Sequence, residues 1–523
     1  MKKYLFLLYF FFFLTGYCQT IEDAWVYFSD KPQATDYLDH PSNMLSQRAL
    51  DRRERLHINL DEKDVPVDNN YISQIVNANG ITYKAKSKWL NAIHVQGTEH
   101  DIRALTGFDF VDRIEFANKN LGIVNRPNTM PQKPKQYKRT TYDYGQASTQ
   151  INMLNGALLH QHNYTGQNVL LAVIDAGFKQ VDTSAFFHHL FVEHKLIDTY
   201  NFVGHNPNVY QYHYHGTEVL STIVAKSNGL FVGTAPDVSV ALYISEDVTH
   251  ETPLEESYWA EAAERADSIG VDVINTSLGY NLFDRPEYNY SQADLNGHSA
   301  FISRAAEIAV SRGINVVVSA GNSGQNSQWP KIGFPADAQG VITVGAVDSN
   351  RMRAGFSSIG PTADGRIKPD VMAMGQGATV FYNHQILSNN GTSFSSPIIA
   401  GIVACMVQAM PDKQPAEIKE ALIAIADRYH NPDNYYGYGI PDFSRLALIN
   451  QNSSVQVEVY PNPAHHFIYL KNNKPFQTVK IYASDGKLVK QVLPDQNKID
   501  IRYLAKGIYF IRTKEFIKPF IVE

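Results

Sequence analysis

Between about Tyr142 and Asn450 the chain alternates short apolar runs with longer amphipathic ones, and this alternation restricts the fold more than any other feature. "NVLLAVID", "VDVINTSLG" and "INVVVSAGN" are continuous runs rich in Val and Ile, as expected of strands buried on both faces. "EESYWAEAAERADSIG" and "SAFISRAAEIAVSRG" carry helical spacing, and each ends in Gly. Strands and helices in alternation predict an α/β domain over residues 142–450, with a parallel sheet and helices on both faces.

The 523 residues exceed one ordinary domain, and roughly three is the expectation for this length. Residues 20–125 read as a small α+β unit. "AWVYFSD" alternates like a strand, "LSQRALDRRERLHI" sets Leu45, Ala49 and Leu56 at helical spacing, and "WLNAIHVQG" and "DRIEFAN" add short strands. Residues 126–141, rich in Pro, Lys, Arg and Asn, form an exposed linker. Residues 455–523 switch to short strands, with a hairpin turn at Asp485-Gly486, and predict a small all-β, sandwich-like module.

"MKKYLFLLYFFFFLTGYCQT" has the layout of a secretory signal peptide over residues 1–19, with cleavage between Cys18 and Thr20. The apolar run falls short of the about 20 residues a spanning helix needs, and no transmembrane segment is read elsewhere. Cys18 as a lipid anchor is the alternative, though Tyr17 before it fits that poorly. With Cys18 removed, Cys405 stands alone and no intrachain disulfide is expected. A formal net charge of -6 gives no reason to expect nucleic acid or an anionic membrane as partner.

In parallel sheets functional groups gather just beyond the carboxyl ends of the strands. Asp175 directly follows the first apolar run; it is either a helix-capping residue or a carboxylate with a partner. His215 precedes Val219, Leu220, Ile223 and Val224, so it sits at a helix N-terminus, where the neutral imidazole is favoured. His213 and His215 as a metal pair lack a further ligand nearby, so no metal site is assigned. Asn322 lies between glycines after a strand, where a side-chain amide can donate to an oxygen that becomes negative. Ser393 opens an apolar helix with Ile398, Ile399, Ile402, Val403 and Met406 on one side and Pro397 expected in its first turn. By itself Ser393 would be a helix cap. The order Asp175, His215, Ser393 is one of the known triad orders, whereas the G-x-S-x-G elbow fails because Ser395 stands where its second glycine belongs.

"VIDAGF", "HGTEV", "NTSLGY", "VVSAGNSG", "FSSIGP", "KPDVMAMG" and "GTSFSSP" resemble, in order, the signatures of the subtilisin-like serine peptidases over about residues 142–445. The resemblance implies Asp175, His215 and Ser393 as the catalytic triad and Asn322 as oxyanion donor. It also implies Ser277, Leu278 and Gly279 as an edge strand that binds extended substrate, and Ala320 and Gly321 as walls of the pocket for the residue before the cleaved bond. Ala176, where the family usually has Ser or Thr, and Phe394-Ser395, where Met-Ala is usual, depart from the pattern. The first unit resembles the family's propeptide, an intramolecular inhibitor, with Lys133 to Arg139 as a processing region. The last unit resembles the C-terminal sorting domain of the Bacteroidetes type IX secretion system; a carbohydrate-binding module is its competitor. The implied protein is a secreted or cell-surface serine endopeptidase acting on proteins or peptides without a cofactor. Structural calcium occurs in the family, but no ligands are assignable here. The alternative is a catalytically silent surface-binding protein on the same fold.

Overall fold

The computed structural model describes residues 20–121, 142–446, 458–471, 479–483, 487–492, 498–512 and 517–523. The signal-peptide residues, Cys18, the Lys133 to Arg139 region and the Asp485-Gly486 turn lie outside these residues. The chain divides into two compact units, 1–442 and 443–523.

The first unit begins with an antiparallel sheet of β1 (Ile21–Phe28), β2 (Thr82–Ser87), β3 (Ala92–Thr98) and β4 (Val111–Phe116), in the order β2-β3-β1-β4. Helix α1 (Gln47–Arg55) is capped by Ser46, whose side chain accepts the Ala49 N–H, and it buries Ala49. These elements match the strands and helix expected from the sequence.

A seven-stranded parallel sheet follows, built from β5 (Leu170–Asp175), β6 (Leu196–Asn201), β7 (Ser239–Ile244), β8 (Val273–Thr276), β9 (Asn315–Ser319), β10 (Ile342–Val347) and β11 (Val371–Met374). Its order is β11-β10-β9-β8-β5-β7-β6. Helices α2 (His215–Val224) and α5 (Thr392–Ala409) pack together, and α5 also packs on β8 to β11. Helices α3 (Leu254–Ile269) and α4 (Phe301–Ser311) pair with each other and share a core with Leu170, Ala172 and Ile174. Those three residues alternate along β5, so they mark one face of the sheet. Helix α3 ends at Gly270 in the left-handed conformation, φ 88°, as its terminal Gly suggested.

Helix α5 spans 18 residues and is long and apolar enough to cross a membrane, which corrects the reading that no such segment follows the N-terminus. All 18 residues are buried in the protein. An apolar helix surrounded by sheet and helices is a core element, and length and composition do not separate that from a membrane span.

The small antiparallel sheet packs on α3 and α4 rather than standing apart. Trp25 stacks on Phe301 with ring centroids 4.7 Å apart, and its indole N–H donates to Ser257 Oγ at 2.8 Å. The Glu264 carboxylate accepts from Ser87 Oγ and from the Lys88 and Trp89 N–H groups. At one end Arg52 and Arg53 of α1 converge on Asp267, and all three are buried. The loop following Asp284 turns toward this sheet: Arg285 pairs with Glu22 at 2.8 Å.

The second unit holds a three-stranded sheet (Glu458–Tyr460, Phe467–Lys471, Lys498–Asp500) and a four-stranded one (Leu488–Val492, Val479–Ala483, Gly507–Arg512, Ile517–Val522). One apolar cluster, including Ile468, Ile481, Ile499 and Ile511, lies between them, which makes the module a small sandwich.

Candidate active site

Asp175 is the last residue of β5 and is fully buried. A carboxylate there needs partners. Its Oδ1 accepts the Ala176 N–H at 2.7 Å and lies 2.7 Å from His215 Nδ1. Its Oδ2 is buried and has no partner among the described residues. Gly216 makes the approach of the two groups possible. A Cβ there would lie 2.5 Å from the Gly177 carbonyl oxygen, so any side chain would push α2 away from the loop after Asp175.

His215 is the first residue of α2, as expected. Burial disfavours its charged form, but the Asp175 charge and hydrogen bond outweigh burial, and the pKa rises above the usual 6.5. The helix N-terminus alone would have lowered it; a carboxylate in direct contact is the stronger neighbour. Nδ1 is engaged by Asp175, so Nε2 is the nitrogen left for a reacting group.

Ser393 is the second residue of α5 and is 8 % exposed. The ring of its neighbour Phe394 lies 6.1 Å from the His215 imidazole, so the histidine stands at the mouth of this helix. Ser393 Oγ donates to the Ser277 main-chain oxygen at 3.3 Å. A bond this long is weak, and rotation of the side chain frees the hydroxyl at little cost. The Ser393 N–H is among the first four of the helix, which have no acceptor within it.

Pro397 is not in the first turn of α5; it is the sixth residue, inside the helix. Proline there deprives the carbonyl four residues earlier of its donor. That carbonyl belongs to Ser393, and Ser277 Oγ donates to it instead at 2.9 Å. Ser277 Oγ in turn accepts from Asn275 Nδ2 at 3.1 Å, and Asn275 Oδ1 accepts from Ser396 Oγ at 2.9 Å. This buried chain of hydrogen bonds ties the end of β8 to the start of α5. Sequence reading missed Asn275 and Ser396, although a polar residue inside the apolar run "VDVINTSLG" was the available signal.

Asn322 lies three residues beyond β9. Its Oδ1 accepts both the Thr392 N–H and the Thr392 Oγ1 hydroxyl, each at 2.9 Å. Two donors on the oxygen fix the amide so that its NH2 is the free end. Thr392, another residue not singled out beforehand, therefore sets the amide's orientation. Gly321 before it has φ +101°, a conformation that favours glycine, and a Cβ there would meet Ser358 Oγ at 3.0 Å.

Ser277, Leu278 and Gly279 do not form an edge strand, contrary to expectation. The β8 ladder stops at Thr276, and the next three residues have no strand partner. Where the ladder ends, Ser277 is bonded to α5 instead. Ser277 is buried, Leu278 half-buried and Gly279 exposed. Together with Ala320, Gly321 and Asn322 they line a pocket of about 150 Å³ that reaches Ser393. His213 stacks on Tyr214, and its Nδ1 accepts the His215 N–H at 3.3 Å. No cluster of His, Cys, Asp and Glu suited to a metal stands among the described residues.

Comparisons with known proteins assign the parts of the chain to families. A profile of the Subtilase family matches residues 166–439, and one of the Bacteroidota peptidase S8 propeptide domain matches residues 23–136. A profile of the secretion system C-terminal sorting domain matches residues 458–519. The chain is similar to subtilisin DY of Bacillus licheniformis, 32 % identical over 299 residues, covering 57 % of this chain and 97 % of that one. It is similar to subtilisin of Bacillus pumilus, 33 % identical over 300 residues, with 57 % and 97 % covered. Subtilisin E of Bacillus subtilis is 32 % identical over 300 residues, with 57 % and 70 % covered. The chain belongs to the subtilase family and is a serine-type endopeptidase.

Proposed function

We propose that the chain hydrolyses peptide bonds through Asp175, His215 and Ser393, with Asn322 and the Ser393 N–H as oxyanion donors. The observation that carries this reading is the 2.7 Å contact between Asp175 and a His215 set at the mouth of the Ser393 helix. His215 takes the proton of Ser393 Oγ as that oxygen attacks the carbonyl carbon, and later returns it to the departing amine. Asp175 holds the imidazole tautomer and stabilises its charged form. Charge appearing on the carbonyl oxygen is met by the Asn322 NH2 and the Ser393 N–H. Extended substrate lies along the main chain of Ser277, Leu278 and Gly279, which has no strand partner, with the side chain before the cleaved bond in the pocket walled by Ala320 and Gly321.

The first domain, up to about residue 125, acts as an intramolecular inhibitor, supported by its propeptide match and by its contacts with α3 and α4. The signal peptide at residues 1–19 and the sorting domain after residue 455 direct the enzyme out of the cell through type IX machinery. Labelling the processed protein with a fluorophosphonate tests the reading; the adduct is expected on Ser393. Absence of an adduct on folded protein would favour a silent surface-binding protein.

A further inference from the structure

The pocket next to Ser393 carries a sign of charge. Of the residues lining it, Lys331 alone is ionisable. Its ammonium donates to the Gly360 carbonyl oxygen at 2.6 Å, which occupies one of three N–H donors. No carboxylate pairs with it among the described residues; burial lowers its pKa, and no anionic group acts against that. Glu246, which accepts from the Tyr280 hydroxyl, is not part of the lining. Gly321 and Gly333 add no side-chain bulk, and the Trp329 indole Nε1–H is already donated to the Ile332 carbonyl at 3.1 Å. The polar character of the pocket therefore rests on small neutral groups and one cation.

We infer that Lys331 makes this pocket select an acidic side chain at the substrate position just before the cleaved bond; the inference rests on the peptidase reading above. An apolar side chain would cover the ammonium and leave its free donors unsatisfied. A lysine or arginine would bring a like charge into the same small volume. A carboxylate supplies both the acceptor and the counter-charge.

Four peptide p-nitroanilides, identical except for Glu, Gln, Phe or Lys before the scissile bond, test this on the processed enzyme, with active sites counted by fluorophosphonate. For wild type, kcat/KM for Glu is expected to exceed that for the isosteric Gln by roughly ten- to a hundredfold, the worth of a charge-assisted hydrogen bond. Lys is expected to be the poorest substrate. Lys331→Met should abolish the preference for Glu over Gln, and Lys331→Glu should turn it toward Lys. Each ratio is taken within one enzyme preparation, so a poorly folded variant does not distort it. A wild-type Gln value equal to or above that of Glu overturns the inference, whatever the variants do. An adduct on Ser393 with a flat Glu-to-Gln ratio overturns only this assignment. No adduct and no cleavage of any substrate would overturn the peptidase reading together with it.

Discussion

Asp267→Ala is expected to loosen the first domain from the peptidase domain without unfolding the latter. Asp267 projects from α3 and is fully buried, and its side-chain partners all come from the first domain. It pairs with Arg52, and Arg53 donates to both of its oxygens at 3.0 Å. Lys88 Nζ stands 3.8 Å away. Burial alone would raise its carboxyl pKa, but Arg53 and Arg52 overcome that and hold it well below the usual carboxylate range. Removing the carboxylate leaves the buried Arg52 and the nearby Lys88 without it, while Arg53 keeps Asp64 at 2.6 Å. Breaking a buried pair from one side costs about 3–5 kcal/mol. Converted, that weakens attachment of the cleaved first domain by roughly 150- to 4000-fold. The free peptidase domain should tolerate the change, because Asp267 then faces solvent. After processing, co-elution on size exclusion and the intrinsic fluorescence of Trp25 and Trp89 report how much of the first domain stays bound. Replacing Arg52 and Asp267 together by Met and Leu, with the Arg53–Asp64 pair kept, should recover much of the affinity, since apolar residues of similar volume replace buried ion pairs well. A dissociation constant for Asp267→Ala within threefold of wild type would refute the reasoning, because a change that small is under about 1 kcal/mol and well below the cost of leaving buried Arg52 unpaired.

Asn322→Ala should lower kcat by roughly 10²–10³ with KM little changed, as expected for one lost oxyanion donor; a raised KM with kcat intact would make the amide a substrate-binding group. The base must be neutral, and its pKa lies above 6.5, so kcat/KM should be lost as pH falls through a midpoint above that value; a pH–rate profile reads it directly. Ala176→Ser should move this midpoint down, because a hydroxyl on the orphaned Asp175 Oδ2 would weaken the carboxylate's hold on the imidazolium. A chain ending near Asn450 should still cleave peptides but stay inside a type IX-competent host, and its appearance in the medium would remove the export role given to the sorting domain.

The sequence by itself determined the architecture and where the candidate reacting groups stand along it. Runs such as "NVLLAVID" can be satisfied only by burial on both faces, and Asp175, Asn322 and Ser393 each follow or open an element whose period is legible within a dozen residues. The unpaired strand edges, by contrast, are set by what lies across space. Ser277 was expected in an edge strand, and its hydroxyl is instead drawn to the carbonyl that Pro397 leaves without a donor, 116 residues away. The orientation of the Asn322 amide depends on Thr392, and the attachment of the first domain depends on Arg52 and Arg53 meeting Asp267 more than 200 residues on. Lys331 is an ordinary surface lysine by its sequence context; only the fold makes it the one charged residue lining the pocket that reaches Ser393. Local periodicity records which face of an element is buried, because hydrophobic burial is a property of each segment. Hydrogen bonds and ion pairs between distant segments are directional and need both partners in place, so they were decided by the tertiary structure.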